Sequence, residues 1–421
     1  MSAEFHDDNR SEEEKESYSF LKETIKKPPL NKKAVLLKML KIAGLGVIFG
    51  LGACAGFSAA KPWVDSHFNN NPTSVTIPQD DKDEEEENPE ETPQETQALT
   101  LDDYEEMYRQ IDDVAKMAEK SLVRLSGSAG EEKTEDGQTI QGGQIEISGV
   151  IVADNGVEYL ILAQNSAFQA DQPVKAAFYD GNQVDVSVKK RDTALGIAVY
   201  AAPKSSLPDN TKEQIVKATL GNSNAASRGD PVIAAGMPFG ADGRVGLGII
   251  SETSNTKLCI DGEYPILNTD MPGTASGSGV LLNLKGEALG VICREEEDGG
   301  VLSALAISEL KEEIELMSNG IGISYTGIEG TEVSDAVADS QEMPKGIYVS
   351  STVPDSPAMK AGIQSGDILT EVEDTKVYTM SAYRQELMDY RPGSHITIKG
   401  MRRSNDGYVD IQFEVALGSA E

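Results

Sequence analysis

The chain has 421 residues, more than one hydrophobic core usually organises, so two or more domains joined by linkers are expected. Its formal net charge of -33 argues against a nucleic-acid partner and against binding of the soluble part to anionic lipid. The cysteines Cys54, Cys259 and Cys293 match no zinc-binding spacing and no dense disulfide framework. A disulfide between Cys259 and Cys293 is an alternative in an oxidising compartment. The sequence therefore predicts no metal site and no cofactor.

An apolar stretch near the N-terminus predicts a membrane anchor. Residues 42–60 carry no charge and would span about 28 Å as a helix, which matches the hydrocarbon core of a bilayer. Seven lysines fall in the twenty residues before this stretch, against Lys61 alone in the corresponding stretch after it, so the N-terminus is expected inside the cell. We predict a disordered cytoplasmic tail over 1–33 and a single-pass anchor over 34–64. The long leader argues against a cleaved signal peptide and against lipoprotein processing.

A linker and a helix follow the anchor. Residues 65–100 are acidic and contain proline, which predicts a solvated stalk rather than a calcium site. Thr100 and Asp103 form a predicted capping box, which marks the start of a helix. Its apolar residues recur at alternating spacings of three and four: Leu101, Tyr104, Tyr108, Ile111, Ala115, Ala118 and Leu122. This stripe predicts packing against the chain's own domain, with self-association as the weaker alternative.

Residues 122–308 are predicted to form many short strands and almost no helix, which favours an antiparallel barrel or sandwich. The candidate strands are 144–152, 158–162, 174–178, 183–188, 196–201, 231–235, 245–251, 279–284 and 288–292. Asn155-Gly156, Asp180-Gly181 and Lys285-Gly286 mark tight turns between them. A helix follows from Ser308, the predicted N-cap, to Met317.

The last hundred residues form a separate unit. Ser356 is the predicted cap of a short helix that has Pro357 at its first position and ends at Gly362. A second helix is predicted over 381–389, and it stops before Pro392-Gly393.

Residues 346–372 resemble the core of a PDZ domain of the kind attached to bacterial HtrA (DegP-type) serine proteases. Tyr325-Thr326-Gly327-Ile328 resembles its carboxylate-binding loop, whose backbone N–H groups receive the C-terminal carboxylate of a peptide that adds as a strand. The match implies that Tyr383 and Leu387 line the peptide groove, while packing in the domain core is the alternative for both.

Residues 220–251 resemble the second barrel of the same family, and the whole resemblance covers about residues 105–417. It implies a mainly β chain: a trypsin-like double β-barrel over 101–316, followed by an α+β PDZ domain over 317–421. A bacterial source, an extracytoplasmic location for both domains and a homotrimer are further implications of the resemblance.

The catalytic triad of that family is not matched in this sequence. The histidine position falls on Ser166 and the aspartate position on Gly196. The nucleophile loop matches Pro272 to Leu281 but is one residue short. The serine position therefore falls on Ser278 when counted forward and on Gly277 when counted back, with Ser276 one step further.

Histidine is missing from the whole predicted peptidase domain, because the chain contains only His6, His67 and His395. A serine hydroxyl is a poor nucleophile unless a positioned base takes its proton, so no catalytic residue is expected. Lys189 or Lys190 acting as an unorthodox base is the alternative.

These observations predict a membrane-anchored pseudoprotease that binds peptide or protein C-termini, or unfolded segments, outside the cytoplasm. We expect a scaffold or regulator in envelope protein quality control. An active serine endopeptidase that degrades misfolded envelope proteins is the alternative, and a transmembrane sensor is a third reading that rests on topology alone.

Overall fold

The computed structural model describes residues 72–80, 100–128, 132–133, 139–140, 143–164, 168, 172–292 and 300–421. All of them belong to one compact unit that spans Asn71–Glu421. The predicted tail over 1–33 and anchor over 34–64 lie outside the described residues, as do Cys54, Ser166 and Cys293. Among the helices that the structure describes, none combines the length and apolar character that a membrane crossing requires.

The described strands in chain order are β1 (Leu122–Ser128), β2 (Glu132–Lys133), β3 (Thr139–Ile140), β4 (Gln144–Asp154), β5 (Glu158–Gln164), β6 (Val174–Ala177), β7 (Gln183–Asp192), β8 (Ile197–Pro203), β9 (Pro231–Met237), β10 (Gly246–Cys259), β11 (Gly262–Pro272), β12 (Ser278–Leu282), β13 (Ala288–Ile292), β14 (Val301–Ala306), β15 (Ser324–Tyr325), β16 (Ile328–Glu332), β17 (Ile347–Thr352), β18 (Ile368–Val372), β19 (Thr375–Lys376), β20 (His395–Ser404), β21 (Gly407–Ala416) and β22 (Gly418–Ser419). The helices are α1 (Leu101–Glu119), α2 (Asp209–Lys212), α3 (Ile307–Ser318), α4 (Asp335–Gln341), α5 (Pro357–Ala361) and α6 (Met380–Met388).

Two closed antiparallel barrels form the first half of the unit. The first has the strand order β1-β4-β5-β8-β7-β6, and the second has the order β10-β11-β14-β13-β12-β9. Each barrel encloses its own apolar core, and a third cluster of buried side chains lies between the barrels and extends to α3. The predicted double β-barrel is therefore present.

The strand predictions were confirmed for strands such as β4 and β13, which contain continuous runs of buried residues. They ended the strand at 245–251 too early, because most of the continuation of β10 to Cys259 is polar and exposed. They also missed β1, β11 and β14. The β10–β11 hairpin turns at Ile260–Asp261, where Asp261 has a φ of 60°.

The C-terminal part forms a separate sheet with the strand order β16-β17-β18-β20-β21, in which β16 lies at an edge. Helix α5 begins with Ser356, whose Oγ accepts a hydrogen bond from the N–H of Met359, and ends at Gly362 in the left-handed conformation. This is the predicted capping pattern. Helix α6 begins one residue earlier than predicted, with Thr379 as its N-cap.

The predicted packing of helix α1 needs correction. The Thr100–Asp103 capping box is present, and Ala115 and Ala118 are buried at the C-terminal end of the helix. Leu101 and Tyr108, however, are 75% and 58% exposed. Only the C-terminal half of the apolar stripe packs on the domain.

The predicted cap of α3 is also corrected, because the helix begins at Ile307 with Ala306 as its N-cap. Ser308 lies inside the helix, where its Oγ donates to a carboxylate oxygen of Asp80 at 2.6 Å.

The linker predicted over 65–100 is not solvated throughout. Residues 72–80 run extended along α3, and Val75 and Ile77 are buried in the central cluster. The Nζ of Lys311 lies 2.6 Å from a carboxylate oxygen of Asp80, and both side chains are largely buried. This segment is therefore part of the folded unit.

Candidate functional site

Among the residues that the structure describes, the positions matched to the triad are Gly196 and the loop that contains Ser276, Gly277 and Ser278. Ser166, at the histidine position, lies outside the described residues. Gly196, at the aspartate position, occupies a turn with a φ of 78°, and its N–H donates to the carbonyl of Asp192 at 2.9 Å. The positive φ explains glycine at this position, because L side chains rarely adopt it.

The loop that matches the nucleophile segment is closed on itself. The N–H of Gly277 donates to the carbonyl of Thr274 at 2.9 Å, so this N–H is used within the loop. Ser278 begins β12 and is 1% exposed, and its Oγ accepts a hydrogen bond from the N–H of Ser148 in the first barrel at 2.9 Å. Ser276 has an exposed side chain. Of the two candidate serines, Ser278 thus serves as a contact between the barrels.

The lysines considered as bases are bound to carboxylates. The Nζ of Lys189 lies 2.6 Å from a carboxylate oxygen of Glu158, and that of Lys190 lies 2.7 Å from Glu421. His395 is an exposed residue at the start of β20 in the PDZ-like sheet. None of these contacts directs a base toward Ser276 or Ser278.

The loop predicted to bind a carboxylate does bind one, and the carboxylate is supplied by the chain itself. Asp261 accepts hydrogen bonds from the N–H groups of Thr326 at 2.7 Å, Gly327 at 2.8 Å and Ile328 at 2.8 Å. The hydroxyl of Thr326 also donates to this carboxylate. The loop has the donors that the resemblance implies, and it uses them on a side chain of the second barrel.

Asp261 reaches the loop from the turn of the β10–β11 hairpin and is fully buried. Its own N–H donates to the carbonyl of Ile328 at 2.8 Å, which extends the contact onto edge strand β16. Burial raises the pKa of the Asp261 carboxyl, and the hydrogen bonds from Gly327 and its neighbours oppose that effect. No sequence motif singles out Asp261, although Asp261-Gly262 is a hairpin signal once β11 is recognised.

Tyr383 and Leu387 are both fully buried in the core of the C-terminal sheet. The hydroxyl of Tyr383 lies 2.7 Å from the Oγ1 of Thr326, so Tyr383 contacts the carboxylate-binding loop. Both side chains thus pack in the domain core, which is the alternative that the sequence left open. Contact of either side chain with a bound peptide stays a prediction.

A second buried contact ties α6 to the barrels. The Nε of Arg384 donates to a carboxylate oxygen of Glu313 at 2.9 Å, and its Nη2 donates to Asp192. The hydroxyl of Tyr264 also donates to Glu313. The side chains of Arg384, Glu313 and Asp192 are 4%, 0% and 0% exposed, so this cluster holds two carboxylates and one guanidinium away from water.

Burial and charge act in opposite directions on this cluster. Burial raises the pKa of Glu313, and Asp192 raises it further, while Arg384 lowers it. For Arg384, burial acts to lower the pKa of the guanidinium, but Glu313, Tyr264 and Asp192 raise it well above its usual value. Arg384 is therefore charged and shared between two acids.

No group of His, Cys, Asp or Glu side chains in the described part of the chain is arranged to hold a metal ion.

Comparisons with known proteins agree with this architecture. Residues 147–291 match the family described as trypsin-like peptidase domain, and residues 319–413 match the PDZ domain. A probable periplasmic serine endoprotease, DegP-like, of Halomonas elongata is 28% identical over 275 residues, which are 63% of this chain and 55% of the relative. The periplasmic pH-dependent serine endoprotease DegQ of Escherichia coli is 24% identical over 284 residues, 65% of this chain and 60% of the relative. The chain thus spans less than two thirds of the length of these curated relatives.

Among solved structures, the HtrA-type protease AlgW with a decapeptide is similar, with a TM-score of 0.52 and 20% identity over 73% of this chain and 98% of that chain. Its variant AlgWS227A with a tripeptide has a TM-score of 0.53 and 21% identity over 74% and 98%. At this identity the likeness concerns the fold.

Two barrels followed by a carboxylate-binding sheet domain define a trypsin-like peptidase domain joined to a PDZ domain. Within that class, both domain matches and the DegP-like relatives support the HtrA/DegP-like family for this chain.

Proposed function

We propose that this chain is an HtrA-like pseudoprotease that binds peptide or protein C-termini through its PDZ domain and does not cleave them. The observation that carries the proposal is the absence of histidine from residues 101–316, since the chain holds only His6, His67 and His395. Without an imidazole, a serine in the peptidase domain has no ordinary proton acceptor.

The described part of the peptidase domain supports this reading. An oxyanion hole needs free N–H groups at the nucleophile loop, and the N–H of Gly277 is already bonded to Thr274. The hydroxyl of Ser278 is buried and accepts a hydrogen bond from the first barrel. Lys189 is bound to Glu158, so it is not positioned as a base.

Peptide binding is supported by the PDZ loop. Three consecutive N–H groups of the loop converge on one carboxylate, which is the geometry that a peptide C-terminus requires. Strand β16 follows the loop directly and lies at a sheet edge, where a peptide strand can add. The similar AlgW structures are named as holding a decapeptide and a tripeptide.

Location and process follow from the relatives and from the sequence. The curated relatives are named as periplasmic endoproteases, which supports a role outside the cytoplasm in envelope protein quality control. The uncharged stretch 42–60 and the lysines before it support an anchor over 34–64 with the N-terminus inside. A trimer is the assembly that the family resemblance implies.

A fluorophosphonate probe tests the absence of proteolysis. We expect the full-length protein to show neither covalent labelling nor cleavage of unfolded casein under conditions where trypsin does both. Ser276→Ala and Ser278→Ala should be indistinguishable from wild type in both assays. Labelling that is lost in one of these variants would instead establish the active endopeptidase.

A pair of glycine variants tests peptide binding. Gly327 and Gly366 have φ values of 86° and 93°, so alanine strains both backbones similarly. A Cβ on Gly327 would lie 2.4 Å from the Cβ of Ser356, whereas one on Gly366 would meet nothing within 4 Å. Fluorescence polarisation with labelled hexapeptides that carry free C-terminal carboxylates should therefore lose binding in Gly327→Ala and keep it in Gly366→Ala. Equal binding by both variants would refute binding through this loop.

A further inference from the structure

We propose that Asp261 is an internal ligand of the PDZ loop, which competes with the C-terminal carboxylates of peptides and keeps the groove closed until the β10–β11 hairpin withdraws. This inference rests on the proposed peptide-binding function and adds its regulation. The loop has a finite set of donors, and Asp261 takes the N–H groups of Thr326, Gly327 and Ile328 together with the Thr326 hydroxyl.

A peptide carboxylate needs the same donors, so the two ligands exclude each other. Two carboxylates in one fully buried site would also repel, and each would lose its hydration on entering. Asp261 is 0% exposed, which leaves no room beside it for a second anion. Binding of a peptide C-terminus thus requires departure of Asp261.

The hairpin imitates a bound peptide in its backbone as well as in its carboxylate. The N–H of Asp261 donates to the carbonyl of Ile328, the first residue of the edge strand β16. The next residue, Gly262, passes close to α6: a Cβ placed on it would lie 3.5 Å from the Cγ of Arg384. The hairpin therefore lies between β16 and α6, which is where an added peptide strand would lie.

Helix α6, which flanks the docked hairpin, is also bound directly to the peptidase domain. Arg384 follows Tyr383 in α6 and binds Glu313 and Asp192 of the peptidase domain. The α6 helix is thus fixed against the barrels while Asp261 occupies the loop. A tethered ligand needs no association from solution, so it competes at a high effective concentration.

The test compares Asp261→Asn and Asp261→Gly with wild type in the full-length protein. Asparagine keeps the shape and tolerates the φ of 60° but sets an amide against the loop N–H groups, and glycine removes the side chain at the same φ. Asp355→Asn is the matched control, because Asp355 also has a φ of 60° and its side chain is exposed. The probes are fluorescein-labelled hexapeptides ending in Val, Leu, Ile, Phe or Ala, each with a free carboxylate or a C-terminal amide.

Both Asp261 variants should bind the free-carboxylate peptides at least tenfold more tightly than wild type, while Asp355→Asn should match wild type. The amidated peptides should gain nothing. Hydrogen exchange at the amides of Thr326, Gly327 and Ile328 should accelerate in the Asp261 variants without peptide, which measures undocking independently of binding.

The alternative outcomes separate the two hypotheses. Equal peptide affinity in wild type and both Asp261 variants would refute the proposal that Asp261 is an internal ligand, and it would leave the proposed peptide binding intact. Accelerated exchange at the three loop amides without peptide binding in any variant would overturn the proposed function, and the competition with it. Unchanged exchange in both variants would show that Asp261 does not hold the loop closed.

Discussion

Replacing Arg384 by methionine should destabilise the protein strongly, because it would leave two carboxylates buried without a counter-charge. Arg384 donates one charge-assisted hydrogen bond to Glu313 and one to Asp192, and the two acids are 0% exposed. Hydrogen bonds to charged groups contribute about 1.5–3 kcal/mol each, so losing both removes about 3–6 kcal/mol. Breaking a buried ion pair by removing one partner costs about 3–5 kcal/mol, which lies within that range.

The assay is guanidinium unfolding followed by far-ultraviolet circular dichroism, in which a lower midpoint at an unchanged slope reports lost stability. Neutralising the whole cluster with Arg384→Met, Glu313→Gln and Asp192→Asn together should recover about 2 kcal/mol or more, since uncharged replacements of buried ion pairs are often tolerated. The reasoning would be refuted by a loss below about 1 kcal/mol in Arg384→Met, or by a triple variant no more stable than the single one.

Three further predictions concern the buried residues Glu313, Ser278 and Lys311. Burial raises the pKa of the Glu313 carboxyl above its ordinary value of 4.5, so the folded state binds the carboxyl proton more tightly than the unfolded state does. The stability of the protein therefore falls as pH rises through the raised pKa. In urea titrations Glu313→Gln should gain stability relative to wild type with rising pH, and a constant difference would contradict this. Ser278→Ala leaves the N–H of Ser148 unpaired and should cost about 1–3 kcal/mol, whereas the exposed Ser276→Ala should change the unfolding midpoint little; equal effects would contradict the burial argument. Lys311→Met leaves Asp80, the carboxylate that fixes residues 72–80, without its counter-charge. The segment should then become cleavable by thermolysin, which cuts before apolar residues such as the buried Val75, and unchanged cleavage would be the opposing result.

Much of the fold could be predicted because it depends on local patterns. The cap formed by Ser356 and the exit at Gly362 were read from residue types alone, and the structure confirms both. Motifs spaced along 220–251 and 346–372 indicated the two barrels and the PDZ domain. Strand β11 was missed although most of its residues are buried, because Pro265, Asn268 and Asp270 are residue types that are depleted in strands.

The contacts that define the candidate site could not be predicted in the same way. Asp261 and Thr326 are 65 positions apart in sequence, and Arg384 and Asp192 are 192 apart. Such pairs leave no periodic trace, since each partner alone looks like an ordinary charged or polar residue. The missing histidine needed no structure, because a count of residue types establishes it.

Docking of the β10–β11 hairpin changes what a separated PDZ fragment could report. A fragment starting at residue 317 would lose the aspartate that fills its own loop, and its Arg384 would lose both acidic partners. It would expose Tyr325 and Met388, which pack against the shared central cluster in the intact chain. Peptide affinities measured on such a fragment would be those of a PDZ domain without its internal ligand. Separating the two domains would therefore remove the competition that Asp261 exerts in the intact chain.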